Sequence, residues 1–123
     1  MENNIKTFED ACATVGVDPT QLPDVSNIPE RFQVSVVAGF KLMVVAEALN
    51  EDWQADYENT SQPKYEPWFE WSSSAGGFVC GVCVLWYTIT LVGPRLVYKD
   101  YETAQYAGEQ FIDLYNDWMK IPK

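Results

Sequence analysis

The chain has no histidine among its 123 residues. That absence removes the commonest general base and the commonest metal ligand together. Cysteine is scarce: Cys12, Cys80 and Cys83 make three, an odd number that gives no complete disulfide framework. Positive charge is scarce as well. Eight Lys and Arg stand against 18 Asp and Glu, for a formal net charge of −10. Such a surface repels nucleic-acid backbones and anionic membranes, keeps a chain in solution and favours cationic partners. A surface of carboxylates could also act as an acidic mimic of DNA. The sequence has no P-loop, no dinucleotide glycine fingerprint, no G-x-S-x-G and no H-E-x-x-H. Its acids gather in "EALNEDWQADYE" and on the last helical pattern, where solvated charge is expected, and the first group lacks the central Gly of a calcium loop. These absences predict a non-enzymatic protein with no cofactor and no metal. Residues 1–16 carry acids and no signal-type apolar core, which predicts a cytosolic location.

Aromatic side chains are what the sequence has in excess. Five Trp and seven Tyr exceed the needs of one small core, so some are expected at a groove or an interface. The length fits one domain, residues 1–123. "TFEDACATVG" predicts a short helix, with Thr7 and Asp10 as a capping box and Gly16 as its stop. A proline-bearing linker follows. Asn27 and Glu30 resemble a second capping box, with Pro29 in the first turn, for a helix running to about Leu49. From Val34 to Leu49 only Ser35, Lys41 and Glu47 interrupt the apolar run. A helix apolar over most of its girth is buried on several sides or meets a second subunit. "KYEPWFEW" alternates as a strand with Pro67 marking an edge or a bulge. A long apolar strand is expected from Phe78 to about Ile89, then a turn at "LVGPR" and a short strand "RLVYK". One last helix, from about Tyr101 to Met119, completes the pattern. The expected fold is α+β: two N-terminal helices, a three-stranded antiparallel meander, and a C-terminal helix packed on the sheet.

No residue from Trp71 to Pro94 is charged, close to the length of a membrane helix. The Val, Ile, Trp, Tyr and Thr content favours a strand instead. The same segment holds C-x-x-C. Residues three apart on a strand diverge unless a bulge intervenes, so Cys80 and Cys83 are expected to pack as small apolar residues. Both faces of this strand are apolar, which predicts cover on the second face by a helix, another chain or a ligand. The binding candidates are Tyr65, Trp68, Trp71, Arg95, Tyr98 and Lys99: aromatic planes to stack on a base and cations to pair with a phosphate. With the net charge so negative, they suit a small nucleotide rather than a polymer.

The wording "KYEPWF", then "GF", "VGPRLVYK" and "AQYAGEQFIDLY" resembles a family of small proteins, of no settled activity, encoded by tailed phages and prophages of Bacteroides-type gut bacteria. The resemblance runs over most of the chain. Its most specific parts are Arg95–Leu96, Tyr106–Gly108, Gln110–Phe111 and Asp113–Tyr115, while Pro94 and Tyr98 depart from the family pattern. It implies a setting, the cytoplasm of an infected bacterium, rather than a mechanism. The expected function is a phage-encoded binding protein that antagonises host defence by holding a nucleotide-type immune signal or a host protein. The alternatives are a structural or assembly protein of the particle and an acidic DNA-mimic inhibitor. The expected partners are a second copy of the chain, giving a homodimer or higher oligomer, and the nucleotide or host protein. Direct contact with nucleic-acid polymers or membrane is not expected.

Overall fold

The first helix begins where its capping chemistry dictates. In the computed structural model, which describes residues 3–86 and 96–121, the Asp10 N–H donates to Thr7 Oγ1 at 3.1 Å. The Asp10 carboxylate in turn accepts the Thr7 N–H at 3.2 Å. Helix α1 then runs Phe8–Val15 and ends at Gly16, whose φ of 75° is one that glycine adopts without strain. It buries Phe8, Ala11 and Cys12 against the second helix.

Helix α2 spans Glu30–Asn50. The expected Asn27–Glu30 capping box does not form. Pro29 occupies the cap position and makes Glu30 the first helical residue, two places too early to reach back. Gln33 instead donates its side-chain amide to the Ile28 carbonyl at 3.1 Å. By length and composition α2 is apolar enough to cross a bilayer. Within this fold its second half is core: Leu42, Val44, Val45, Ala46, Ala48 and Leu49 are buried. The helix ends in a tight turn, with the Trp53 N–H on the Asn50 carbonyl at 3.0 Å. Glu51 sits at φ 54° and ψ −120°. These angles are those of the first central residue of a type II′ turn, a place where glycine is at ease and other residues are strained.

Strands β1 (Lys64–Ser72) and β2 (Gly77–Trp86) form an antiparallel hairpin. Gly76, at φ 72°, turns the chain between them. The register shifts once: Pro67 stands opposite Cys83, yet Phe69 stands opposite Cys80. Two residues of β2 therefore oppose Trp68, which makes a β-bulge between positions 80 and 83. Helix α3 (Tyr101–Gln110) lies on both strands. It comes so close that a Cβ at Gly108 would stand 2.6 Å from Cys80 Sγ and 2.7 Å from Pro67 Cβ. Helix α4 (Ile112–Met119) packs on α2 and on β2.

Two expectations about these elements need correction. Among the described residues the sheet has two strands rather than a three-stranded meander. The "RLVYK" segment meets β1 at one bridge, where Tyr65 and Tyr98 exchange N–H···O bonds of 3.1 and 2.6 Å. It goes no further because Asp100, two residues on, already caps α3 by accepting the Thr103 N–H at 2.7 Å. On its other side the Asn50 side-chain amide holds the segment, donating to the Val97 carbonyl and accepting the Lys99 N–H, each at 2.9 Å. The end of the long strand and the "LVGPR" turn, residues 87–95, lie outside the described residues. The last helix is also not continuous. It breaks at Phe111 (φ −108°, ψ 28°) into α3 and α4. Buried Phe111 thus ends a helix that follows the sheet and starts one that follows α2.

The core joins these layers. Phe8, Leu42, Val45, Leu49, Leu96, Tyr98, Ala104, Ala107, Phe111 and Tyr115 belong to one buried cluster.

Candidate functional site

Among the described residues, the aromatic and cationic side chains singled out in the sequence do not converge on one pocket. Tyr98 is 0% exposed. Its hydroxyl meets the Tyr115 hydroxyl at 2.8 Å inside the core. Burial pushes the pKa of both phenols well above the usual tyrosine range. No face of Tyr98 is left for stacking on a base. Tyr65 is half-buried beside the same cluster, with both backbone groups bonded to Tyr98. Lys99 is engaged by Glu51 at 2.8 Å. Trp68 and Trp71 do reach solvent, at 50% and 57% exposure, from the far half of β1. Trp71 sets its ring edge-on to Phe78, 5.3 Å between centroids. Arg95 lies outside the described residues.

The expected cover over β2 is present on one side. Cys80 lies under α3, as the close approach of Gly108 shows. Phe78 is pinned at its backbone by Asn116, whose side-chain oxygen accepts the Phe78 N–H at 2.7 Å and whose amide donates to the Phe78 carbonyl at 3.0 Å. Val79, between them, opens to solvent. Burial, and secondarily the charge of Glu109, raises the Cys80 thiol pKa. Burial does the same for Cys12, helped by Glu9 and Asp18. Both thiols are therefore poor nucleophiles at neutral pH. Among the described residues no three His, Cys, Asp or Glu side chains group as metal ligands would.

The concave surfaces lie along α2, and the sequence reading passed over them. A cleft of about 300 Å³ lies between α2 and α4, lined by Ser35, Val36, Gly39, Phe40, Leu96 and Trp118, among others. Ser35 fixes its wall by donating to the Trp118 carbonyl at 2.7 Å. Gly39 leaves room for the Trp118 ring, which a Cβ there would meet at 3.4 Å. A second cleft of about 320 Å³ is lined by Val25, Val34, Val37, Lys41, Leu114 and Asp117, among others. The largest groove, about 810 Å³, runs between the second half of α2 and the loop from Glu51 to Tyr57. Val36 of the first cleft and Val34 of the second are exposed, Val34 at 61%, as is Phe32 one turn before Val36. The signal for this surface was the long apolar run of α2. What the run does not encode is which half stays uncovered.

Comparison of the chain with models of protein families, with curated proteins and with solved structures finds no match.

Proposed function

We propose that this chain is a phage-encoded, non-enzymatic binding protein that works as a homodimer in the cytoplasm of the infected bacterium and antagonises host defence by holding a host protein. The observation that carries the reading is the uncovered apolar strip on the first half of α2. Phe32 and Val36, one turn apart, face solvent on the side of the Trp118 cleft, and Val34 faces it on the opposite side, at the Lys41 cleft. Exposed apolar surface of this kind marks contact with another protein.

A second copy of the chain is the occupant that the charge pattern favours. Residues 32–40 hold no charged side chain, and Arg31 and Lys41 flank them. On a chain with a net charge of −10, a stretch of helix without carboxylates sets no like charge of its own against a second copy. Two copies of the face that holds Phe32 and Val36 are self-complementary about a two-fold axis. The nucleotide reading loses support because Tyr98 is spent in the core and Lys99 in an ion pair.

Sedimentation of the full chain tests the dimer. Wild type is expected to run as a dimer at micromolar concentration, and Val34→Glu/Val36→Glu as a folded monomer. A monomeric wild type would overturn the proposal. Thermal-shift screening against cyclic di- and trinucleotides and ADP-ribose derivatives tests what is held. No shift is expected, and a clear one would return the reading to capture of a nucleotide signal. Recovery of the chain from purified virions would move it to an assembly role, which the same apolar strip would also serve.

A further inference from the structure

The largest groove has a chemistry of its own. Phe40, Met43 and Val44 of α2 line it together with Trp53 and Tyr57 of the following loop, and among the described residues its charged lining is Glu47 and Glu51. Its volume of about 810 Å³ lies in the range of ligand-binding pockets. Two nearby lysines do not line it. Lys64 is wholly buried, with Nζ 5.1 Å from the Tyr57 ring centroid and donating to the Gln62 carbonyl at 3.0 Å. Lys99 reaches only as far as Glu51, whose side chain is still 75% exposed with that partner in place.

We infer that this groove takes a basic segment of a partner protein, with an Arg or Lys side chain lying along the apolar floor and its cation between the aromatic rings and the two carboxylates. Three observations converge on that occupant. Among the described residues the lining charge is negative, as is the net charge of the chain, −10, which draws cations and repels anions. An apolar floor with aromatic walls suits a long aliphatic stem that ends in a cation, since the stem packs while the head meets ring faces and carboxylates. Finally, Glu51 stands at a φ of 54°, where glycine would be relaxed. A glutamate there supplies the carboxylate at the lip of the groove that glycine would lack. The inference rests on the reading of the chain as a protein-binding protein, and adds the chemistry of the partner.

The test is calorimetric titration of the full chain with an acetylated, amidated hexapeptide of alternating Arg and Leu. A matched peptide with citrulline in place of Arg serves as its neutral isostere. The Arg peptide is expected to bind at least about tenfold more tightly than the citrulline peptide, equivalent to roughly 1.4 kcal/mol, and to weaken as salt rises. Glu47→Gln/Glu51→Gln is expected to erase that preference, and Trp53→Ala to weaken both peptides. Equal binding of the two peptides, or a preference that survives the double Gln variant, would overturn the inference. So would no binding by a wild-type protein that still sediments as a dimer, and this outcome would leave the dimer standing. Val34→Glu/Val36→Glu tests the dimer without touching the groove, so the two readings fail separately.

Discussion

The two halves of α2 are built from the same residues and live in opposite surroundings. From Leu42 to Leu49 the valines, alanines and leucines are buried. From Phe32 to Val36 the same kinds of side chain face water. Composition does not separate them. What differs is what comes to lie on each half. The second half belongs to the cluster that includes Phe8 of α1, Tyr98 of the bridge segment and Tyr115 of α4. The first half meets α4 along one flank, through Ser35 and Gly39 against Trp118. A uniformly apolar helix thus serves as core at one end and as an open face at the other.

The sharpest way to break this comparison is to cut the same kind of bulk from both halves. Leu42→Ala is expected to cost about 2–5 kcal/mol, the usual range for a buried leucine. Val34→Ala should stay within about 0.5 kcal/mol at a concentration where the chain is monomeric. Urea unfolding of both variants checks the pair, and equal losses would show that the first half is covered after all.

Asn50 closes the buried half. Asn50→Ala is expected to cost about 2–4 kcal/mol, because it strands the Val97 carbonyl and the Lys99 N–H, each poorly placed to recover a partner. Thermal unfolding of the variant measures it, and a loss near zero would mean that water replaces the amide.

The tyrosine pair within the same core sharpens the contrast through pH. The folded-state pKa values of Tyr98 and Tyr115 are raised by burial. For a group with a raised folded pKa, the stabilisation is fully present below the unfolded value, about 10 for tyrosine, and is lost as pH climbs beyond it. Stability is therefore expected to fall steeply above that pH. Tyr115→Phe should cost about 1 kcal/mol at neutral pH and make the alkaline fall shallower. An unchanged slope in the variant would remove Tyr115 from the explanation.

The smallest expected effect lies one residue beyond α2. Glu51→Gly relieves a strained φ worth about 1–3 kcal/mol. It forfeits an exposed ion pair worth about 0–1 and adds chain entropy to the unfolded state worth about 0.4–1. The three ranges combine to a span from a loss of about 1 to a gain of about 2.6 kcal/mol, centred on a gain of about 0.8, read as a small rise in Tm.

How much of this was legible in the sequence depends on how local each cause is. The start and stop of α1 were readable because Thr7, Asp10 and Gly16 act within one stretch of ten residues. The α+β class was readable from the change of period between α2 and β1. Among the described residues the third strand shows only as the Tyr65–Tyr98 bridge, because nothing in "RLVYK" says that Asp100 will cap a helix at once. Tyr98 was taken for a ligand platform because a short alternating segment does not reveal which face α4 will cover with Tyr115. Lys99 looked available because Glu51 lies 48 residues away. The break at Phe111 carries no proline or glycine of its own, and it answers to two different packing partners. The groove beside α2 was missed because "NEDWQADYE" reads as a solvated loop until Trp53 and Tyr57 are seen to line a wall with Phe40 and Met43.

One consequence of the Asn50 amide concerns other molecules rather than this fold. An unpaired strand edge is a template on which another chain can add itself, strand upon strand. The segment around Tyr98 has β1 on one side, and its other side presents the Val97 carbonyl and the Lys99 N–H. A single side-chain amide, one donor and one acceptor, occupies both positions as a counterfeit strand one residue long. The chain gains from this a sealed edge, and this route to open-ended stacking is closed.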